Sequence, residues 1–124
     1  MAHTSRPKVT VNAALTYYPW PGIIAVIAAA ARTGTALEIN SFPDRLDLDG
    51  ELVRRAMHAG VRFAISTDAH AVPHLDYLKF GVATAQRGWA GKADVINTYP
   101  LEKLRRFLAG KARLRPQTSL ARRC

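Results

Sequence analysis

The 124-residue sequence contains a single cysteine, Cys124, which is its last residue. No disulfide can form within the chain, and a reducing cytoplasm is the location that we predict for it. The longest apolar run, residues 22–31, is about half as long as a membrane-spanning helix and is rich in alanine. Met1 is followed by polar residues without an early apolar core, so neither a membrane protein nor a secreted one is expected.

Acidic residues are scarce at the end of the sequence. Residues 1–100 carry ten Lys or Arg and eight Asp or Glu, whereas residues 101–124 carry eight basic residues and one acidic residue. Polyanions such as nucleic acid are the natural partners of so basic a tail. The alternative is a solvated and partly disordered terminus without a partner, and composition alone does not decide between the two.

Helix and strand patterns begin near residue 20. A helix is predicted to start at Trp20 and to continue as a buried apolar segment over residues 23–31, with Gly34 as its left-handed cap. Residues 36–40 have the pattern of a core strand. The preceding residues 1–19 are interrupted by prolines and are expected to be irregular.

A second helix and a second strand follow with short connections. Asp47 or Asp49 is expected to cap the helix, and residues 62–65 are expected to form the strand. The apolar stripe of the helix recurs at the helical period and consists of Leu52, Val53, Ala56 and Met57. This strand–helix–strand order predicts two parallel strands, as in α/β proteins.

The later elements are predicted from weaker patterns. Residues 77–88 are expected to form a helix interrupted at Gly81, and residues 94–98 a short strand or extended segment. Pro100 is expected to open a last helix that ends near Gly110. Residues 111–124 contain few large apolar side chains, so we predict a frayed or disordered basic tail.

A carboxylate and an imidazole follow the second predicted strand. Asp68 and His70 stand two positions apart, and residues i and i+2 of an extended backbone point to the same side. Both side chains are therefore expected at a carboxyl-terminal strand end, where α/β proteins place their chemistry. Oxygen and nitrogen ligands of this kind suit Zn, Mn or Fe. The alternative is that Asp68 caps the next turn and His70 is a surface loop residue.

Several motifs occur in order and at close spacing. They are Ala36-Leu37-Glu38-Ile39-Asn40, Phe42-Pro43-Asp44-Arg45-Leu46-Asp47-Leu48, Ala59-Gly60-Val61 and Ser66-Thr67-Asp68-Ala69-His70. This series resembles the carboxyl-terminal part of a PHP (polymerase and histidinol phosphatase) domain. Four further motifs are similar to the PHP domain that ends bacterial family X DNA polymerases: Leu75-Asp76-Tyr77, Phe80-Gly81-Val82-Ala83-Thr84-Ala85, Arg87-Gly88-Trp89 and Asp94-Val95-Ile96-Asn97-Thr98.

The resemblance implies an α/β fold. PHP domains resemble a distorted barrel of about seven units, and a closed eight-unit α/β barrel needs about 200 residues or more. We therefore expect a partial (β/α) barrel, the carboxyl-terminal half of such a domain. Residues 20–110 would form this partial PHP domain, between the irregular segment 1–19 and the basic tail 111–124.

The resemblance also implies metal-dependent phosphoester hydrolysis. PHP domains bind a cluster of metal ions, usually zinc or manganese, which activate water and neutralise phosphate charge. Asp68 and His70 match the last ligand pair of the family, in which they reach different metals, and His3 is a third candidate at a stretched spacing. The early H-x-H pair of the family is not present in this sequence. Mn²⁺ or Zn²⁺ is thus expected to bind weakly.

Three polar residues near the first strand receive other assignments. Asn40 at the end of the strand and Arg45 in the loop beyond it are expected to meet a substrate phosphate, for which arginine provides a forked donor. A solvent-exposed loop arginine is the alternative for Arg45. Glu38 lies in the strand itself, and a buried hydrogen-bonded role is favoured for it over metal ligation.

The function that we predict is that of a carboxyl-terminal fragment of a PHP phosphoesterase domain. The resemblance implies 3′–5′ exonuclease activity and DNA repair for the parent protein, with DNA as its partner. A histidinol-phosphatase-like hydrolase and a non-catalytic basic nucleic-acid-binding remnant are the alternatives. Because most metal ligands are missing, we expect the chain to be inactive alone. It is also expected to self-associate or to need the missing amino-terminal half of the domain.

Overall fold

A computed structural model describes residues 20–110 of the chain. Its helices and strands are α1 (Trp20–Thr33), β1 (Leu37–Asn40), α2 (Gly50–His58), β2 (Phe63–Ser66) and α3 (Leu78–Arg87). Short 3-10 helices occupy Val72–Tyr77, Lys92–Asp94 and Ile96–Thr98, and residues 101–110 are helical again. The predictions of an irregular segment 1–19 and a disordered tail 111–124 fall outside the described residues, as does His3.

The expected partial (β/α) barrel is wrong. Within residues 20–110, β1 and β2 form a two-stranded parallel sheet, with Leu37 opposite Phe63 and Asn40 opposite Ser66. Helices make up most of the rest. The parallel pairing itself agrees with the strand–helix–strand pattern, but two strands do not make the wall of a barrel.

Residues 94–98 do not form the expected strand or extended segment. They fold into 3-10 turns, and only Val95 bridges to Phe63 of β2. The side chains of this segment bond to nearby backbone: Asp94 Oδ2 accepts from the Gly91 N–H at 2.9 Å, and Thr98 Oγ1 donates to the Lys92 carbonyl at 2.7 Å. Such local bonds compete with a strand ladder, so they override the β-branched composition of the segment.

The predicted helix ends are confirmed at several points. The Asp49 carboxylate accepts a hydrogen bond from the Leu52 N–H at 2.9 Å, which makes Asp49 rather than Asp47 the cap of α2. Gly34 follows α1 with φ of 67°, the left-handed conformation expected of it. The stripe of α2 is buried at Leu52, Val53 and Ala56, so the helical period placed this helix correctly.

The two faces of the sheet have different chemistry. One face carries alternate apolar side chains that join the core with α1 and α2: Leu37, Ile39, Phe63 and Ile65. The other face carries Glu38, Asn40, Ala64 and Ser66. Because side chains alternate along a strand, burying the apolar set fixes the polar set on the opposite face.

Among the described helices, none is long and apolar enough to cross a membrane.

Gly81 sets how closely α3 approaches the sheet. The helix runs through Gly81 without the predicted interruption. A Cβ built at Gly81 would clash with Ser41 Oγ and would lie 2.6 Å from Ile65 Cγ2. Hence this glycine serves close packing against the ends of both strands, rather than a break in the helix.

Gly81→Ala is expected to destabilise the fold by about 1–3 kcal/mol, because Ser41 and Ile65 both have to move in an already packed region. Intrinsic helix propensity alone would favour alanine. Urea unfolding curves measure the difference. Gly110→Ala is the matched control, since no atom of residues 20–110 lies within 4 Å of a Cβ there and its effect should be small. Equal stability of the Gly81→Ala variant and the unchanged chain would contradict the close approach.

Candidate functional site

Asp68 lies in the loop that follows β2. The strand ends at Ser66, and Asp68 has φ of 53°, so the backbone at this residue is not extended. The expectation that Asp68 and His70 point to the same side, as residues i and i+2 of an extended strand, therefore does not apply. Both Asp68 and His70 are exposed, and they do lie just beyond the carboxyl end of a strand, as the sequence predicted.

His70 is oriented by two hydrogen bonds. Its Nδ1 lies 2.7 Å from the Asp68 carbonyl oxygen, and its backbone N–H donates to His74 Nδ1 at 3.1 Å. A carbonyl oxygen only accepts, so His70 Nδ1 carries the proton in this bond. That leaves Nε2 of His70 as the nitrogen with a free lone pair, which is the usual arrangement in a metal-binding histidine.

The described residues do not complete a metal site. Over residues 20–110, no three or more His, Cys, Asp or Glu side chains come together in a way that could hold a metal ion. Asp68 and His70 have the chemistry of ligands, but a catalytic zinc normally has three protein ligands and a water. The pair therefore fits part of a ligand set and not a whole one.

Glu38 has the hydrogen-bonded role that was favoured for it. Its Oε1 accepts from the Ser66 hydroxyl at 2.6 Å, across the pair of strands. The side chain is half-buried rather than fully buried. This bond joins β1 to the last residue of β2, two positions before Asp68, and so helps to fix where the loop begins.

The two predicted phosphate contacts occupy the loop after β1. Asn40 is only 4% exposed, and its Oδ1 accepts from the Phe42 N–H at 2.9 Å, which shapes the turn. Arg45 is half-buried, and its backbone N–H donates to the Phe42 carbonyl at 2.8 Å. Phosphate binding by either residue stays a prediction. His58, expected on the surface, ends α2 and is exposed.

An aromatic cluster beside His70 was not foreseen. His74 and Tyr77 are stacked with ring centroids 5.3 Å apart, and Tyr77 and Phe80 are stacked at 5.9 Å. Phe42 lies edge-on to both His74 and Tyr77. We call His74, Tyr77 and Phe80 the aromatic row. Their spacing of three residues was the available signal, since positions i and i+3 eclipse in a 3-10 helix.

Asn97 was also missed as a support of the site. Its Oδ1 accepts from the Ile65 N–H at 2.8 Å, and its Nδ2 donates to the Ile65 carbonyl at 2.9 Å. The amide thus pairs with the free edge of β2 as a neighbouring strand would. It secures the strand that leads directly into the Asp68 loop.

No protein-family model matches the chain. The chain is, however, 42% identical over 83 residues to the DNA polymerase/3′-5′ exonuclease PolX of Bacillus subtilis (strain 168). The chain is related to bacterial family X DNA polymerases. The match covers 67% of this chain and 15% of that relative, so the chain spans a small part of the relative's length.

Proposed function

We propose that Asp68 and His70 are the last metal-ligand pair of a PHP-type phosphoesterase that acts as a 3′–5′ exonuclease on DNA. The relationship to a protein named as a polymerase and 3′-5′ exonuclease supports this choice of activity. The motif Ser66-Thr67-Asp68-Ala69-His70 supports the choice of residues. Histidinol phosphatase activity receives no comparable support.

The observation that carries the proposal is the bond between His70 Nδ1 and the Asp68 carbonyl. It turns a flexible, exposed imidazole into one with a fixed tautomer and a fixed direction. Preorientation of this kind raises the metal affinity of a histidine, because less rotational freedom is lost on binding.

The metal would be Mn²⁺ or Zn²⁺, bound through the Asp68 carboxylate and the His70 Nε2. When bound, such a metal supplies Lewis-acid activation of water and neutralises charge on a phosphate. Most of the remaining ligands would come from further parts of the parent protein, because the early H-x-H pair is not present in this sequence. The isolated chain is therefore expected to bind the metal weakly and to hydrolyse no phosphoester.

Calorimetric titration with Mn²⁺ tests the ligand assignment. We expect weak binding by the 124-residue chain that Asp68→Ala and His70→Ala each reduce by roughly tenfold or more, since each removes a ligand. His58→Ala is the control, because this exposed histidine lies at the end of α2. Tight binding that survives Asp68→Ala would remove these two residues from the site.

A second function, nucleic-acid binding without catalysis, is favoured by the charge of the tail. Eight basic residues and one acidic residue lie within residues 101–124. Arg105 and Arg106 are exposed on the helix over residues 101–110. Such a surface attracts the phosphate backbone regardless of sequence. The two functions are compatible, since a tail that holds DNA would also serve an exonuclease.

A further inference from the structure

The aromatic row leads away from His70 in a continuous stack. It starts at His74, whose Nδ1 accepts from the His70 backbone N–H. The planes of His74 and Tyr77 differ by 17°, and those of Tyr77 and Phe80 by 30°. The three rings therefore present nearly parallel faces that begin one hydrogen bond from the predicted metal ligand.

The far end of the row is partly exposed. Phe80 is 38% exposed, and among the described residues its only ring partner is Tyr77. Neighbouring apolar side chains are exposed as well, namely Val72, Leu75, Leu78 and Val82. Several exposed apolar side chains within one short segment are typical of a binding site, because leaving them in water is unfavourable.

A cation lies over the exposed ring. Lys79 Nζ is 5.4 Å from the centroid of the Phe80 ring, so a base that stacks there would displace the ammonium group toward the phosphate. Alternating cations and aromatic faces are the arrangement by which proteins bind single-stranded nucleic acid, because bases stack on the rings and phosphates pair with the cations. The charge beside Phe80 is thus complementary to a polyanion and not to an uncharged apolar peptide.

We propose that the aromatic row is a base-stacking site for single-stranded DNA, with Phe80 as the ring that receives a nucleobase and Lys79 as the partner of its phosphate. The inference rests on the proposed function, since it supplies the substrate strand with a binding surface next to Asp68 and His70. Base–aromatic stacking tolerates any sequence because every base has a π face. The site would therefore hold a strand of any sequence.

The test compares two fluorescent oligothymidylates of equal length, one intact and one with abasic residues in place of its bases. Both carry the same phosphates, so binding through charge cancels in the comparison. We expect the 124-residue chain to bind the intact strand roughly tenfold more tightly, and Phe80→Leu to abolish most of that preference. Phe80→Tyr should keep it. Lys79→Gln should weaken both strands alike.

Leu78→Ala is the control for loss of apolar surface, since Leu78 is 43% exposed on the same helix and has no ring. It should leave the preference unchanged. The inference is overturned if the unchanged chain shows no preference for bases, or if Phe80→Leu weakens both strands equally. Metal binding that depends on Asp68 would then still stand, so failure of the stacking site is distinguishable from failure of the proposed function.

Discussion

Deleting residues 111–124 is expected to flatten the salt dependence of DNA binding by roughly three units of log affinity against log salt concentration. The deletion removes five of the eight basic residues that lie in residues 101–124. Each cation that neutralises a phosphate of a single strand releases counterions worth about 0.7 of a unit. At low salt the affinity should fall by orders of magnitude, which is the largest effect that we expect from any change outside the loop of Asp68.

A full-length variant separates charge from length in this experiment. In this variant, glutamine replaces the five basic residues of segment 111–124, which are Lys111, Arg113, Arg115, Arg122 and Arg123. Fluorescence anisotropy at several salt concentrations should give the same flattened slope for the deletion and for this variant. An unchanged slope in both would place DNA contact elsewhere, or show that the chain has none.

Local features of the fold were predictable because short-range chemistry decides them. The cap at Asp49 and the stripe of α2 follow from side-chain type and spacing alone. Gly34 was predictable because few residues other than glycine adopt positive φ without cost. The parallel pairing of β1 and β2 followed from the short connections through α2.

The barrel was not predictable in this way, and the expectation failed. It came from a resemblance to domains longer than this chain, together with three or four predicted strands, of which only β1 and β2 form within residues 20–110. Val95 and Ile96 favour a strand by composition, but the Asp94 carboxylate and the Thr98 hydroxyl bond to local backbone and hold 3-10 turns instead. The β-strand propensity of this segment is outweighed by side-chain hydrogen bonds that depend on the loop geometry.

The site was predictable in position but not in geometry. The sequence placed Asp68 and His70 beyond the end of β2, where they are found. It did not indicate the positive φ of Asp68, or that the Asp68 carbonyl orients the His70 ring. The three-residue spacing of the aromatic row was visible in the sequence, but the contact of Phe42 with His74 was not, because the two lie more than thirty residues apart and only the fold brings their rings together.

We propose Asp68 and His70 as metal ligands of a 3′–5′ exonuclease, and a segment exchange in the Bacillus subtilis relative tests this assignment most directly. The matching 83-residue segment of the Bacillus subtilis relative is replaced by that of this chain, and Mn²⁺-dependent release of nucleotides from a labelled 3′ end is measured. We predict that the exchanged protein retains exonuclease activity. Asp68→Ala or His70→Ala within it should lower the rate by roughly 100-fold or more, because each removes a metal ligand.

His58→Ala in the same exchanged protein is the control and should leave the rate unchanged, since this exposed side chain lies at the end of α2. We predict an active exchanged protein that Asp68→Ala and His70→Ala inactivate. An exchanged protein that unfolds as cooperatively as the unexchanged relative, yet degrades no DNA, would contradict this prediction. So would one whose exonuclease rate is indifferent to both substitutions.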